Sequence, residues 1–217
     1  MNYFAHGRCF LDNPYYLAGT AVPDWLSVVD RRCRARAKKA ANFVESENSV
    51  EAMIAAGVIQ HHVDDDWFHR NEEFNRLQWD FTSRIRDFLG KDSGLRPSFL
   101  GHILIELLLD STLIEDQPGQ LDEYYSVLSQ IEAEAVQQVV ERIAERPADR
   151  LAWFIERFVE VRFLADYPDD EKLVYRLNQV MQRVKLPALP DAFRSLLPGF
   201  RQEVRLSSAA LLTVQPT

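Results

Sequence analysis

The chain has 217 residues, of which 47% are hydrophobic and 27% are charged, a composition typical of a globular protein with one sizeable core. Its net charge of −8 argues against general nucleic-acid binding, which usually requires a basic surface. Cys9 and Cys33 provide no disulfide framework, and residues 1–6 lack the features of a signal peptide, so we expect a cytoplasmic protein. We find no apolar run of the roughly 18 residues that a membrane span needs.

Helical signals follow one another along the chain, and no segment shows the alternation of a strand. We therefore predict an all-α fold, a single-domain helical bundle over residues 1–206. Within it, residues 1–115 would hold a metal site and residues 120–206 would support it, followed by a loose tail at 207–217. The predicted helices cover residues 15–22 and 25–29, then a helix from 49 that continues through 70–89, and a helix that starts at 96–98 and includes residues 99–110. Further helices are predicted at 121–145, 150–164, 172–184 and 191–206.

Asp24 lies between Pro23 and Trp25 in an otherwise apolar segment, and two interpretations are open. Proline often interrupts a helix, so Asp24 could cap a new helix that begins at Trp25. Alternatively, Asp24 is a carboxylate that binds a metal ion. The spacing alone does not separate the two.

Residues 31–39 form the one basic cluster of this acidic chain, with six cations among nine residues. A run of charge is usually a solvated face. It can also attract a phosphate-bearing or acidic partner, and we predict that Arg31, Arg32 and Arg34 bind the phosphate of a substrate.

Residues 60–69 concentrate three histidines and three aspartates. His61, Asp65 and His69 are four residues apart, so a helix presents them on one face. Imidazole and carboxylate groups are common ligands of divalent metal ions. All five histidines precede residue 103, which places the predicted chemistry in the first half. Three other polar residues of the segment lie on the outer face of the helix, or one of them acts as a general base or supports the metal ligands: His62, Asp64 and Asp66.

A second helix repeats the same spacing, with His102, Glu106 and Asp110 among almost exclusively apolar neighbours. A helix that is apolar nearly all round is a buried helix. Burying two carboxylates costs several kcal/mol unless something compensates them. A metal ion, an arginine or a helix N-terminus could do so.

With His6 and Asp24 the chain offers up to eight candidate ligands, more than one ion takes from a protein. We predict one or two divalent ions, Zn²⁺, Mn²⁺, Fe²⁺ or Ni²⁺, and hydrolysis of a phosphoester or phosphodiester. Asp65 and Glu106 are the predicted catalytic residues. The predicted metal ligands are His6, Asp24, His61, Asp65, His69, His102 and Asp110.

Three segments, residues 1–6, 17–25 and 57–61, resemble the acyl carrier protein phosphodiesterase family, together with Asp65 and position 69. The resemblance covers about residues 1–115. It implies an all-helical, HD-domain-like fold and a divalent ion such as Mn²⁺. It also implies removal of the 4′-phosphopantetheine arm from acyl carrier protein, which would make an acidic carrier protein a partner.

Position by position, the family pattern matches His6, Asp24, His61 and Asp65. It expects aspartate where this chain has His69, and aspartates in the later helix where this chain has His102 and Glu106. A site richer in histidine would shift the metal preference toward zinc, iron or nickel. Residues 23–25 and 101–110 are also similar to parts of zinc-dependent phospholipase C-like proteins.

Two alternatives to a hydrolase are open. In one, the histidines and carboxylates of the two helices pair with arginines in a buried ionic network, and the surface serves protein interaction. The candidate arginines are Arg8, Arg70 and Arg84. In the other, the protein binds a metal ion or carries out redox chemistry without hydrolysis. The sequence gives no oligomeric state.

Overall fold

The computed structural model describes residues 1–90 and 94–213, and the part of the chain described is all-α, without a strand. This confirms the predicted fold class. Short 3₁₀ helices occur at Phe163–Asp166 and Asp191–Leu196. The α-helices are α1 (Tyr3–Gly7), α2 (Pro14–Val29), α3 (Ala37–Ala40), α4 (Ser49–Arg70), α5 (Glu72–Leu89), α6 (Pro97–Asp116), α7 (Gln120–Leu128), α8 (Ala133–Ala144), α9 (Leu151–Val161), α10 (Asp170–Arg183) and α11 (Leu197–Leu211).

The contacts divide the chain into two compact units. The first unit comprises Met1–Asp66 and Gln117–Phe163, and the second comprises Trp67–Asp116 with the chain from Leu164 onward. Each unit therefore combines segments from both of the predicted halves. Helix α4 begins in the first unit, and its last residues, from Trp67, belong to the second.

Helix α2 is continuous from Pro14 to Val29, with Pro23 in its interior, so the predicted break before Trp25 is wrong. Asp24 is not a helix cap. An internal proline removes one backbone hydrogen bond and normally destabilises a helix. Here the helix continues because its apolar side chains are buried on both sides of the proline, among them Leu17, Val22, Trp25 and Leu26.

The predicted helix 121–145 is two helices, α7 and α8, separated at residues 129–132. At this break the backbone N–H of Glu132 donates to the hydroxyl of Tyr15 at 3.4 Å. A tertiary partner therefore replaces the helical hydrogen bond, which the apolar period could not reveal.

Helix α11 extends the ordered chain to Leu211, so residues 207–211 of the predicted loose tail are helical. Ser207 and Leu211 are both buried, and Leu211 is wholly inaccessible. Burial of these side chains holds the last turn in place. Residues 214–217 of the predicted tail lie outside the described residues.

In the first unit, α1 packs against α2 through a cluster of aromatic rings. The rings of Tyr3 and Trp25 lie 5.0 Å and 5.5 Å from that of Phe158, between ring centroids. All three side chains are buried. This packing fixes the short helix α1, and with it the side chain of His6.

Helices α2 and α4 cross in backbone contact at Gly19 and Gly57. A Cβ atom on Gly57 would lie 2.2 Å from the carbonyl oxygen of Tyr16 and 2.8 Å from the Cα of Gly19. Side chains larger than hydrogen would force the helices apart. The crossing therefore sets the position of α4, three residues before Gln60 and the histidines that follow.

Replacing Gly57 with alanine is expected to lower the free energy of unfolding by about 2 kcal/mol, because two backbones would have to separate. Gly199→Ala is the matched control. Its new Cβ would meet only the end of the Arg84 side chain, at 3.1 Å, and alanine favours a helix. Urea denaturation measures both; equal stabilities for the two variants would contradict the close crossing.

In the second unit, α6 packs against α5 and α11, and nearly every apolar residue along it is buried. Among the described helices, α6 is the one long and apolar enough to suit a membrane span, contrary to our expectation that no run would be. Its apolar stretch is 61% buried within the protein, as in the core helix of a globular unit, so it is weak support for a span.

Candidate metal centres

The first unit brings together His6 from α1 with His61 and Asp65 from α4, which we call the His6 group. His6 Nε2 lies 3.3 Å from Asp65 Oδ1, and His61 Nε2 lies 3.3 Å from Asp65 Oδ2. The two imidazole rings stack with centroids 4.1 Å apart. Both rings therefore face the same carboxylate.

Hydrogen bonds on the far side of each ring determine which nitrogen carries the proton. His61 Nδ1 lies 2.8 Å from the carbonyl oxygen of Thr20, which only accepts, so the Nδ1–H donates to it. His6 Nδ1 faces Asp64 Oδ2 at 3.3 Å in the same way. A ring that carries a single proton, at Nδ1, presents its Nε2 lone pair to the group, as metal-binding histidines oriented by a carbonyl or carboxylate do.

Two buried atoms at this place have no hydrogen bond within the described residues: His6 Nε2 and Asp24 Oδ2. His6 Nε2 is close to Asp65 but poorly aligned with it. Burial raises the pKa of Asp24, although the nearby His61 and His6 oppose this change. An unpaired buried polar atom costs roughly 1–3 kcal/mol. A cation bound to the group would compensate both atoms.

The carboxylates around His6 favour positive charge. Burial lowers the pKa of His6, but Asp64 and Asp65 outweigh burial and raise it from 6.5 to about 9. Burial raises the pKa of Asp65, yet His6 and His61 hold it well below its usual range. Asp65 Oδ1 also accepts a hydrogen bond from the amino group of Met1 at 2.7 Å. The metal-free group therefore holds a proton on His6.

The spacing of these donor atoms fits a divalent ion. Around a tetrahedral ion with bonds of about 2.0 Å, neighbouring ligand atoms lie about 3.3 Å apart. The two shortest nitrogen–oxygen separations of the His6 group have this value, and its three donor atoms all lie within 4.8 Å of one another. Two imidazoles and a carboxylate suit Zn²⁺, Fe²⁺ or Mn²⁺.

The second unit contains a separate set, His69 from the end of α4 with His102 and Glu106 from α6, which we call the His69 group. Glu106 Oε1 lies 3.1 Å from His69 Nε2 and 3.3 Å from His102 Nε2. Burial raises the pKa of Glu106, but hydrogen bonds from His102 and His69 help to hold it below its usual range. The carboxylate is therefore ionised at neutral pH.

Of the eight candidate ligands, three belong to each group. Asp24 interacts electrostatically with His61 and His6. Asp110 is fully buried and belongs to neither group, so its role as a ligand stays a prediction. Glu106, predicted as a base, shares its carboxylate with two histidines. Asp65 serves both imidazoles of the His6 group.

Of the supporting residues in the histidine segment, Asp64 is buried and orients His6 while its Oδ1 accepts from Gln60 at 2.8 Å. The amphipathic pattern could not reveal this, because the partner lies on α1. His62 Nε2 lies 2.8 Å from the carbonyl oxygen of Ala35, so His62 holds the neighbouring loop. Asp66 is exposed.

The predicted phosphate-binding arginines differ in their partners. Arg31 and Arg34 are exposed, with side chains that donate to backbone carbonyls at 3.4 Å. Arg32 pairs with Asp30 through two side-chain hydrogen bonds. This ion pair offsets the charge of Arg32, so the structure favours Arg31 and Arg34 for the proposed role. The loop reaches the His6 group through His62, whose ring lies 5.5 Å from that of His61.

Arg84, one of the arginines of the ionic-network alternative, pairs with Asp80 and Glu203. It therefore does not compensate the carboxylates of the two histidine-bearing helices. Arg8 Nε is buried and has no hydrogen bond to any residue the structure describes.

Comparisons with protein-family models, with curated proteins and with solved structures found no match to this chain. The resemblance to the acyl carrier protein phosphodiesterase family, and the HD-domain-like fold that it implies, therefore stay predictions. The function of this chain is therefore inferred from the geometry of the two groups.

Proposed function

We propose that this chain is a metal-dependent phosphoester or phosphodiester hydrolase, with a divalent ion held by His6, His61 and Asp65. The observation that carries the proposal is the pair of buried imidazoles, each held by an acceptor at Nδ1, with both Nε2 atoms facing Asp65. Asp24 is the proposed fourth ligand, because its buried Oδ2 lacks a donor in the described chain.

A bound divalent ion lowers the pKa of its water to about 7 and stabilises negative charge on a phosphoryl oxygen. The residues of the chain supply the rest. Asp64 and the Thr20 carbonyl hold the two imidazole rings in their orientation through Nδ1. The burial of His6 and His61 excludes bulk water from the histidine side of the proposed ion. Asp65 is exposed over about a third of its side chain, which leaves an approach for the substrate.

Two exposed cations of the 31–36 loop, Arg31 and Arg34, would receive the phosphate. His62 ties this loop to α4 beside His61, within the first unit. An acidic carrier protein, as the resemblance implies, is one substrate that such cations would attract. The free thiols of Cys9 and Cys33 fit the proposed cytoplasmic location.

The proposal is tested by hydrolysis of bis-p-nitrophenyl phosphate by protein stripped of metal and reloaded with Mn²⁺, Zn²⁺ or Fe²⁺. We expect metal-dependent release of nitrophenolate. Stoichiometric metal binding without turnover of this diester or of p-nitrophenyl phosphate would instead favour the non-hydrolytic alternative.

The double variant Arg31→Gln/Arg34→Gln is expected to raise KM for the diester about fivefold with little change in kcat, because exposed charges contribute up to about 1 kcal/mol. Arg32→Gln/Lys39→Gln is the matched control, with the same loss of charge. Arg32 and Lys39 are already paired with Asp30 and Glu145. If both double variants raise KM equally, the effect reflects net charge and not a local phosphate site.

A further inference from the structure

We infer that His69, His102 and Glu106 form a second divalent metal centre, whose donors share no residue with the His6 group. All three residues belong to the second unit, and the inference does not depend on the proposed hydrolysis. The site would hold a borderline ion such as Zn²⁺ or Fe²⁺ with two imidazoles, one carboxylate and positions open to water.

The convergence of the donors is the first observation. His102 and Glu106 are four residues apart on α6, and His69 reaches them from the end of α4. Both Nε2 atoms lie close to one oxygen, Glu106 Oε1, at 3.1 Å and 3.3 Å. These separations match the spacing of about 3.3 Å between ligands around a tetrahedral ion.

Aromatic packing holds the two imidazoles in place. The ring of Phe74 lies edge-on to both histidines, with centroids 5.1 Å from His69 and 5.1 Å from His102. The ring of Phe68 lies 5.6 Å from His69 on the same helix. Both phenylalanines are buried. The donor atoms are therefore oriented before any ion binds, which reduces the entropy lost on binding.

Solvent access distinguishes this group from the His6 group. The side chains of His69 and His102 are 34% and 33% exposed, against 0% and 4% for His6 and His61. An ion bound here can exchange with solvent and keep water or an anion as additional ligands. Three protein ligands with open positions is the pattern of a reactive centre and not of a closed structural zinc site.

The competing explanation is a hydrogen-bonded triad in which both imidazoles donate N–H to Glu106 without any ion. The two explanations differ in what Glu106→Gln does. A glutamine keeps an oxygen that can accept both hydrogen bonds but removes the charge that an ion needs. If the group is a metal site, Glu106→Gln lowers its metal affinity at least tenfold, while the stability of the metal-free protein hardly changes.

The experiment uses the full chain with His61→Ala, which disables the His6 group, stripped of metal and titrated with Co²⁺ as an optical probe. We expect one equivalent bound, with visible absorption that shifts when azide is added. His61→Ala/His102→Ala should bind none, and His61→Ala/Glu106→Gln should bind at least tenfold more weakly. His61→Ala/His62→Ala is the matched control and should still bind one equivalent.

Failure of this inference is distinct from failure of the proposed hydrolysis. The inference is overturned if folded His61→Ala protein binds no Co²⁺, or if the variant lacking His102 keeps its ion. Binding of one equivalent to His61→Ala supports it even if the native protein hydrolyses no phosphoester. Circular dichroism verifies that each variant is folded, and Glu106→Gln provides a second variant with little change in shape.

Discussion

His61→Ala is expected to lower kcat/KM for bis-p-nitrophenyl phosphate at least about 10³-fold, equivalent to about 4 kcal/mol of transition-state stabilisation. The variant loses one of the four proposed ligands, and Asp65 loses its contact with the His61 imidazole. Because the ion supplies both the nucleophile and charge stabilisation, the main effect should be on kcat. Steady-state kinetics with measured metal content separate lost binding from lost turnover.

His62→Ala is the matched control for this prediction. It removes the neighbouring histidine of the same helix, whose Nε2 is bonded to the carbonyl of Ala35 and which belongs to neither group. We expect less than a tenfold change in kcat. If His61→Ala retains most of the activity, the ion is not held by the His6 group and the proposed mechanism is wrong.

The four-residue spacing predicted which candidate ligands pair within one helix, but it did not predict that the ligands divide into two groups. His61 and Asp65 share one group, and His102 and Glu106 share the other, because residues four apart lie on one face of a helix. The partner in each case comes from elsewhere. His6 arrives on α1, and its position depends on the packing of Tyr3 against Phe158, which no local pattern encodes.

Asp24 shows how tertiary structure overrides a local signal. Pro23 and Asp24 together favour the start of a helix, yet α2 runs through both because its apolar face is buried on either side. Asp64 shows the reverse error. The sequence favours the outer face of α4 for Asp64, but in the structure the residue is buried and orients His6 on α1. Covering by another segment is a long-range event, so spacing alone could not decide it.

His6 is expected to make the stability of the metal-free protein depend on pH between 6.5 and 9. Burial opposes protonation, but Asp64 and Asp65 raise the pKa of His6 to about 9 in the folded protein, against 6.5 when unfolded. The folded state therefore keeps a proton that the unfolded chain loses over this range. The stabilisation is complete below pH 6.5 and is lost as pH rises through 9; it amounts to about 3 kcal/mol.

Urea denaturation in a chelator at pH 6.5 and pH 9 measures this difference, and His6→Gln is expected to abolish it. His62→Gln is the matched control and should retain the full dependence. The depressed pKa of Asp65 acts in the acid range, below the usual carboxyl pKa of about 4, so it does not contribute in this window. Saturating Zn²⁺ should remove the loss of stability at high pH, because the ion takes the place of the proton at His6. An equal decline in the native protein and in His6→Gln would show that the carboxylates do not hold a cation at this position.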